Sequence, residues 1–196
     1  MKRLLDNLKE THPTVVSDVV PDVLKPGEVQ KILQNLLRER VSIRNLGTIL
    51  ETIGDFGART KDVTLLTEYV RNSLSRTICR QYLEEEGKLY CVTLDPTLEE
   101  TIAGGIQHTD AGSFLSMDPN LLGQVMNAIG QEVTRLIQGG HHPVLLVSPQ
   151  IRPHVKQIAD GVRPGIAVLS YNEVVRDARV ESIGVARFPA GAGART

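Results

Sequence analysis

Gly139-Gly140-His141-His142-Pro143 gathers the residue types that hold metals and phosphates into one short run. Imidazole nitrogens can ligate a metal, and paired glycines can let the backbone approach a phosphate. The order of the residues works against both uses. On a strand or extended loop neighbouring side chains point to opposite faces, so His141 and His142 do not converge on one ion. A metal site also needs several ligands. A phosphate cradle places its glycines after a strand and before a helix, whereas these precede a strand. The run is therefore expected to be a loop. Ser148 follows an apolar run and precedes a helical pattern, the place of a nucleophile in a strand-turn-helix elbow. Val147-Ser148-Pro149 lacks the flanking glycines of such a turn, and N-capping of the next helix accounts for the serine. His154 falls inside a short helix and His108 in a loop, neither with an Asp or Ser partner evident in the sequence. Cys79 and Cys91 show no metal-ligand spacing and no disulfide framework, which fits reduced thiols of a cytosolic protein. No catalytic, cofactor-binding or metal-binding residue is assigned from the sequence.

The elements around these residues come from composition and periodicity. The chain has 196 residues, 41% of them apolar, enough for one large domain or two small ones. Lys and Arg number 22 against 23 Asp and Glu, a formal charge of −1, so no global field recruits nucleic acid or an anionic membrane. Aromatics make up 4% and Trp is absent, which argues against a stacking platform for single strands or sugars. No apolar run approaches the ~20 residues that span a bilayer. No signal peptide precedes the first helix, so the chain as written is expected to be soluble and cytosolic.

The first half reads as a helical bundle. Met1–Glu10 suggests a short amphipathic helix, and Pro13 starts another with Val15, Val16, Val19 and Val20, ended by Pro21. Pro26 opens a third, with Val29, Ile32, Leu33, Leu36 and Leu37 on one face and Arg38-Glu39-Arg40 as its solvated end. Ser42 is the expected N-cap of a helix carrying Ile43, Leu46, Ile49, Leu50 and Ile53, stopped at Gly54–Gly57. Asp62 caps the next, which carries Leu66, Val70, Leu74 and Ile78 and closes on Arg76 and Arg80. A DNA-reading helix pair from Ser42 to Arg80 is disfavoured. Arg71 lies well around the helix from Arg76 and Arg80, and the turn is longer than such motifs use.

The second half reads as α/β. Glu84-Glu85-Glu86-Gly87 is a solvated turn and the expected boundary. Leu89–Leu94 is a buried strand, and Asp95-Pro96 starts a helix that Gly104-Gly105 ends. Ile106–Met117 is an irregular loop with a short strand around Phe114. Asp118-Pro119 starts a long helix on Leu122, Val125, Met126, Ile129, Val133, Leu136 and Ile137, with Met126 as core filler. Val144–Val147 and Ile166–Leu169 flank a helix that carries Ile151, Val155 and Ile158 and ends at Gly161. They form a βαβ unit with parallel strands. Val180–Phe188 is a further strand, and the Gly/Ala-rich tail from Pro189 is expected to be disordered. The fold class is α+β / α/β, a helical subdomain at 1–82, an α/β subdomain at 83–188 and a tail at 189–196.

Three runs carry a family resemblance: Leu24-Lys25-Pro26-Gly27-Glu28-Val29 through Arg38-Glu39, Val41-Ser42-Ile43-Arg44-Asn45-Leu46, and Thr60-Lys61-Asp62 with Leu65–Arg71. In order and spacing the chain resembles the cytosolic C-terminal part of the FlhA / InvA family of type III protein-export gates. The likeness is strongest from Leu24 to Ile102, and Cys91-Val92-Thr93-Leu94-Asp95-Pro96 tilts it to the flagellar branch. The resemblance implies a non-enzymatic piece of the bacterial flagellar export apparatus that helps recruit and order export substrates and their chaperones. It implies a parent embedded in the inner membrane, with four cytosolic subdomains on its cytoplasmic face assembled as a nonameric ring. Residues 1–82 and 83–188 would be the third and fourth of these. Partners would be other export-apparatus proteins, substrates and chaperones, with no nucleic acid and no cofactor. The family's main chaperone groove lies between subdomains outside this chain, so none of its residues transfers. The alternative is a small cytosolic α/β enzyme or ligand-binding domain using the carboxyl ends of its strands.

Overall fold

The computed structural model describes residues 16, 19–109 and 112–188. The helix expected at Met1–Glu10, most of the one expected from Pro13, and the tail from Pro189 lie outside the described residues. The chain divides into two compact units between Ile78 and Cys79, with Gly112 belonging to the first.

In the first unit α1 (Pro26–Arg38) starts where expected. Pro26 needs no donor in the first turn, and the Lys25 N–H is held by the Glu28 carboxylate at 2.8 Å. Val29, Ile32, Leu33 and Leu36 are buried, whereas Leu37 stands 52% exposed and departs from the expected face. The next helix, α2 (Leu46–Gly57), begins after Ser42. Asn45 is the cap, its Oδ1 accepting the Thr48 N–H at 3.4 Å, while Ser42 Oγ accepts the Arg44 N–H within the preceding turn. Ile43 therefore precedes the helix. The helix ends at Gly57, within the expected Gly54–Gly57 stop. A Cβ on Gly54 would lie 3.2 Å from Val19 Cγ2, and one on Gly57 only 2.6 Å from Val23 Cγ1. Both glycines also admit a neighbouring segment.

Asp62 caps α3 (Val63–Ser73) as expected, Oδ1 accepting the N–H groups of Thr64 at 2.8 Å and Leu65 at 3.2 Å. The helix breaks at Leu74, and α4 (Ser75–Arg80) continues, yet Leu66, Val70, Leu74 and Ile78 are all buried across the break. Phe56 of α2 stacks on Tyr69 of α3 with ring centroids 4.1 Å apart. Glu39 is not a solvated helix end: its carboxylate takes Arg71 Nη1 at 3.0 Å, and the Arg71 side chain is 2% exposed. A guanidinium so far from water needs that partner to offset its desolvation.

The second unit is built on β1 (Lys88–Leu94), which follows a turn at Glu85–Gly87 with positive φ at Glu86 and Gly87. Asp95 caps α5 (Pro96–Gly104) through the Thr97 N–H. Within the stretch expected as an irregular loop, β2 (Ile106–Thr109) pairs with β3 (Gly112–Leu115), the short strand expected around Phe114. Asp118 caps α6 (Pro119–Gln138). Then come β4 (Val144–Val147), α7 (Arg152–Val162), β5 (Ala167–Ser170) and β6 (Arg179–Ala186).

Four strands form one parallel sheet in the order β5-β4-β1-β6, with β4–α7–β5 the expected βαβ unit. Every residue of β4 is buried, the pattern of a strand covered on both faces. Val125, Ile129, Val133 and Leu136 of α6 pack with Leu145, Val147, Val155 and Ile158 in one core, and Met126 lies against it. The β1–β6 register slips at Cys91/Val92, which pair with Ser182 and Gly184, so Ile183 is an extra residue forming a bulge in β6.

Removing Glu39 takes a charge partner away from a guanidinium that is almost wholly out of water. Glu39→Ala is expected to lower unfolding stability by about 3 kcal/mol. Leu37→Ala, at an exposed position, should change it by less than about 0.5 kcal/mol. Urea titrations followed by circular dichroism compare the two.

Candidate functional site

The carboxyl ends of β1, β4, β5 and β6 share one edge of the sheet, where open α/β sheets bind ligands. Ser148 lies there, immediately after β4, but it does not cap α7. That helix starts at Arg152 with Ile151 in the cap position, and Ser148 contributes only its carbonyl, to the Ile151 N–H at 3.2 Å. The N-cap expectation for Ser148 is corrected by a partner 49 residues away. Glu99, on α5, accepts the Ser148 backbone N–H on Oε1 at 2.9 Å and the Ser148 hydroxyl on Oε2. The phenol of Tyr171, just beyond β5, is pushed up by partial burial and then by the nearby Glu99 carboxylate.

A nucleophilic serine needs a base on its hydroxyl. Here the hydroxyl is turned into a carboxylate that also binds the backbone, and the nearest candidate imidazole is engaged elsewhere. His154 is buried in α7 with Nε2 3.2 Å from Ser113 Oγ on β3. That serine lies on the short strand expected around Phe114, 41 residues from His154, so the pairing was not visible in the sequence. His108 is exposed on β2.

His141 and His142 part company as expected for adjacent residues. The His141 ring stacks on Tyr90 of β1 at 3.9 Å and 22°, and its Nδ1 lies 3.0 Å from Glu84 Oε2. The His142 ring meets the edge of Tyr82 at 6.4 Å. Glu84 was read as part of a solvated charge run, and the structure gives its carboxylate a definite role holding His141. The two rings pin the segment leading into β1 against the turn after α6. Among the described residues no group of three or more His, Cys, Asp or Glu side chains gathers around a metal-sized space.

Both thiols are free and buried. Burial pushes the Cys91 thiol up to about 11 and raises Cys79 as well, the latter with smaller contributions from Asp177 and Glu173. Neither is a thiolate near neutral pH.

What remains is surface. Open grooves of about 680 and 780 Å³ flank α6 on its two sides and share Asn127, Gln131 and Arg135, three residues at helical i, i+4, i+8 spacing. The second groove is closed on its far side by β6, from Ser182 to Phe188. These three residues form a polar ridge between the two grooves.

The sequence matches the FHIPEP family over residues 1–179. The chain belongs to the FHIPEP family. Within it, the chain is 42% identical to the flagellar biosynthesis protein FlhA of Bacillus subtilis over 94% of its own length and 27% of that protein's. It thus spans about a quarter of the length of the curated relatives it matches. Its fold superposes on Chlamydia pneumoniae CdsV with a TM-score of 0.87 at 31% identity, covering 95% of this chain and 53% of that one. CdsV has also been solved in a complex with CdsO. The nonameric SctV-C of EPEC superposes with a TM-score of 0.79 at 29% identity, covering 94% of this chain and 55% of that one. The FHIPEP chain has no helix among its described residues long and apolar enough to cross a membrane.

Two outcomes follow from this geometry. Native protein should leave both cysteines unreactive toward a thiol reagent at neutral pH, with full reaction appearing only in denaturant; a fast-reacting thiol in the folded state would contradict the burial. Zinc content should stay at background in the wild type and in the His141→Ala/His142→Ala double variant. Stoichiometric zinc lost in that variant would make the pair ligands.

Proposed function

We propose that this chain is the end of the cytosolic region of a flagellar export gate, in which it acts by binding other proteins and not by catalysis. Its two units would be the third and fourth cytosolic subdomains, the helical one at about 1–82 and the α/β one at 83–188. The observation that carries this reading is the 42% identity to a flagellar FlhA over nearly the whole chain, with no break at either unit. Partners in this role are other export-apparatus proteins, exported substrates and their chaperones, and further copies of the parent in a ring. The nonameric state of SctV-C and the CdsV–CdsO complex support ring assembly and protein partners of this kind. The parent would sit in the bacterial inner membrane with this part on its cytoplasmic face. The engagement of Ser148, His154 and His141 by structural partners supports a role without catalysis.

A chimera tests the role. Replacing the matching segment of Bacillus subtilis FlhA with this chain should restore flagellin secretion and swimming to a strain lacking FlhA, at least in part. A chimera that accumulates normally and secretes nothing would sink the assignment. By itself the chain should run as a monomer or weak dimer at micromolar concentration and show little affinity for late-stage flagellar chaperones. A head-to-tail ring needs both halves of each interface, and this chain matches only about half of the ring-forming SctV-C. Light scattering that found a nonamer, or calorimetry that found submicromolar chaperone binding, would place assembly and docking within this chain.

A further inference from the structure

The carboxyl edge of the parallel sheet carries the donor set of an anion site, and something already sits in it. At Ser148 a backbone N–H at the end of β4 and a side-chain hydroxyl point at the same carboxylate, with N to Oε1 at 2.9 Å and Oγ to Oε2. Two donors on two oxygens of one planar group is how an oxyanion is held. The carboxylate comes from Glu99, 49 residues earlier in the chain, on the helix that follows β1. At the end of the neighbouring strand the pattern repeats on a smaller scale. Ser170, the last residue of β5, donates its N–H at 2.7 Å and its hydroxyl at 3.2 Å to the buried Glu173 carboxylate. In open α/β sheets this edge takes the ligand, often an anion. In this chain both strand ends are closed by carboxylates of the chain itself.

We infer that Ser148 and the end of β4 form an anion seat that Glu99 fills from within, and that the seat takes a small planar carboxylate when Glu99 is removed. The native protein is silent toward free anions at this edge because its own side chain holds the place at very high effective concentration. The Ser170 seat is not opened in the same way, since Glu173 is tied to it locally, three residues along.

The experiment is rescue of the truncated side chain. In Glu99→Ala, sodium formate should raise Tm by about 2–4 °C over the same concentration of sodium chloride, along a saturating curve. Wild-type protein should show no such difference, and neither should Glu99→Gln, whose side chain still occupies the space. Ser148→Ala in the Glu99→Ala background should abolish the formate effect. If Glu99→Ala is unfolded in chloride, recovery of its native circular dichroism in formate supports the inference equally. A Glu99→Ala variant that responds alike to formate and chloride, or stays unfolded in both, overturns it.

Discussion

Strand β1 pairs in parallel on both sides, and most of the second unit follows from that arrangement. A parallel neighbour cannot be reached by a tight turn, so each return must cross a face of the sheet. The passage from β1 to β4 takes α5 and α6 with it, and the passage from β4 to β5 takes α7. The helices are therefore where the topology needs cover, and the fully buried β4 is the consequence. The last return, from β5 to β6, has only residues 171–178. Extended, such a stretch reaches roughly 26–29 Å, so it leads directly from one edge strand to the other without a crossover helix of usual length. Parts of it, Glu173 buried and the carbonyl of Asp177 near Gly87, are packed into the unit accordingly.

Much of this was legible in the sequence because the signals were local. Asp62, Asp95 and Asp118 each cap the helix they announce, and Pro26, Pro96 and Pro119 each stand in a first turn. The apolar run of β4 and the stripe of α6 needed no long-range information. The failures share one cause. Ser148 and Glu39 were given roles from their immediate neighbours, and in the folded chain their partners are 49 and 32 residues away. Gly54 and Gly57 mark the expected helix stop, but the approach of Val19 and Val23, which also limits their size, is not visible in the local sequence. β2 was missed, although its partner around Phe114 was expected, because strands of this length carry too few alternations to stand out.

The same asymmetry governs the chemistry-bearing residues. Their types suggested metals, phosphates or a nucleophile, and the arguments against those uses came from order and spacing. The structure supplies the positive side: His141 is a stacking and hydrogen-bonding partner of Tyr90 and Glu84, His154 of Ser113, Ser148 of Glu99. Each of these three side chains is committed to a partner elsewhere in the chain.

The bulge at Ile183 bears on a different property. β6 is the outer strand of its sheet, eight residues long, with Val180 and Ile183 more than two-fifths exposed. A straight, apolar strand in that position is a template onto which any extended polypeptide can zip, one backbone hydrogen bond after another. One surplus residue breaks the repeat, so no incoming strand can match the rungs both below and above it. The molecule can therefore leave greasy side chains on its rim without inviting fibre growth or the indiscriminate capture of unfolded chains.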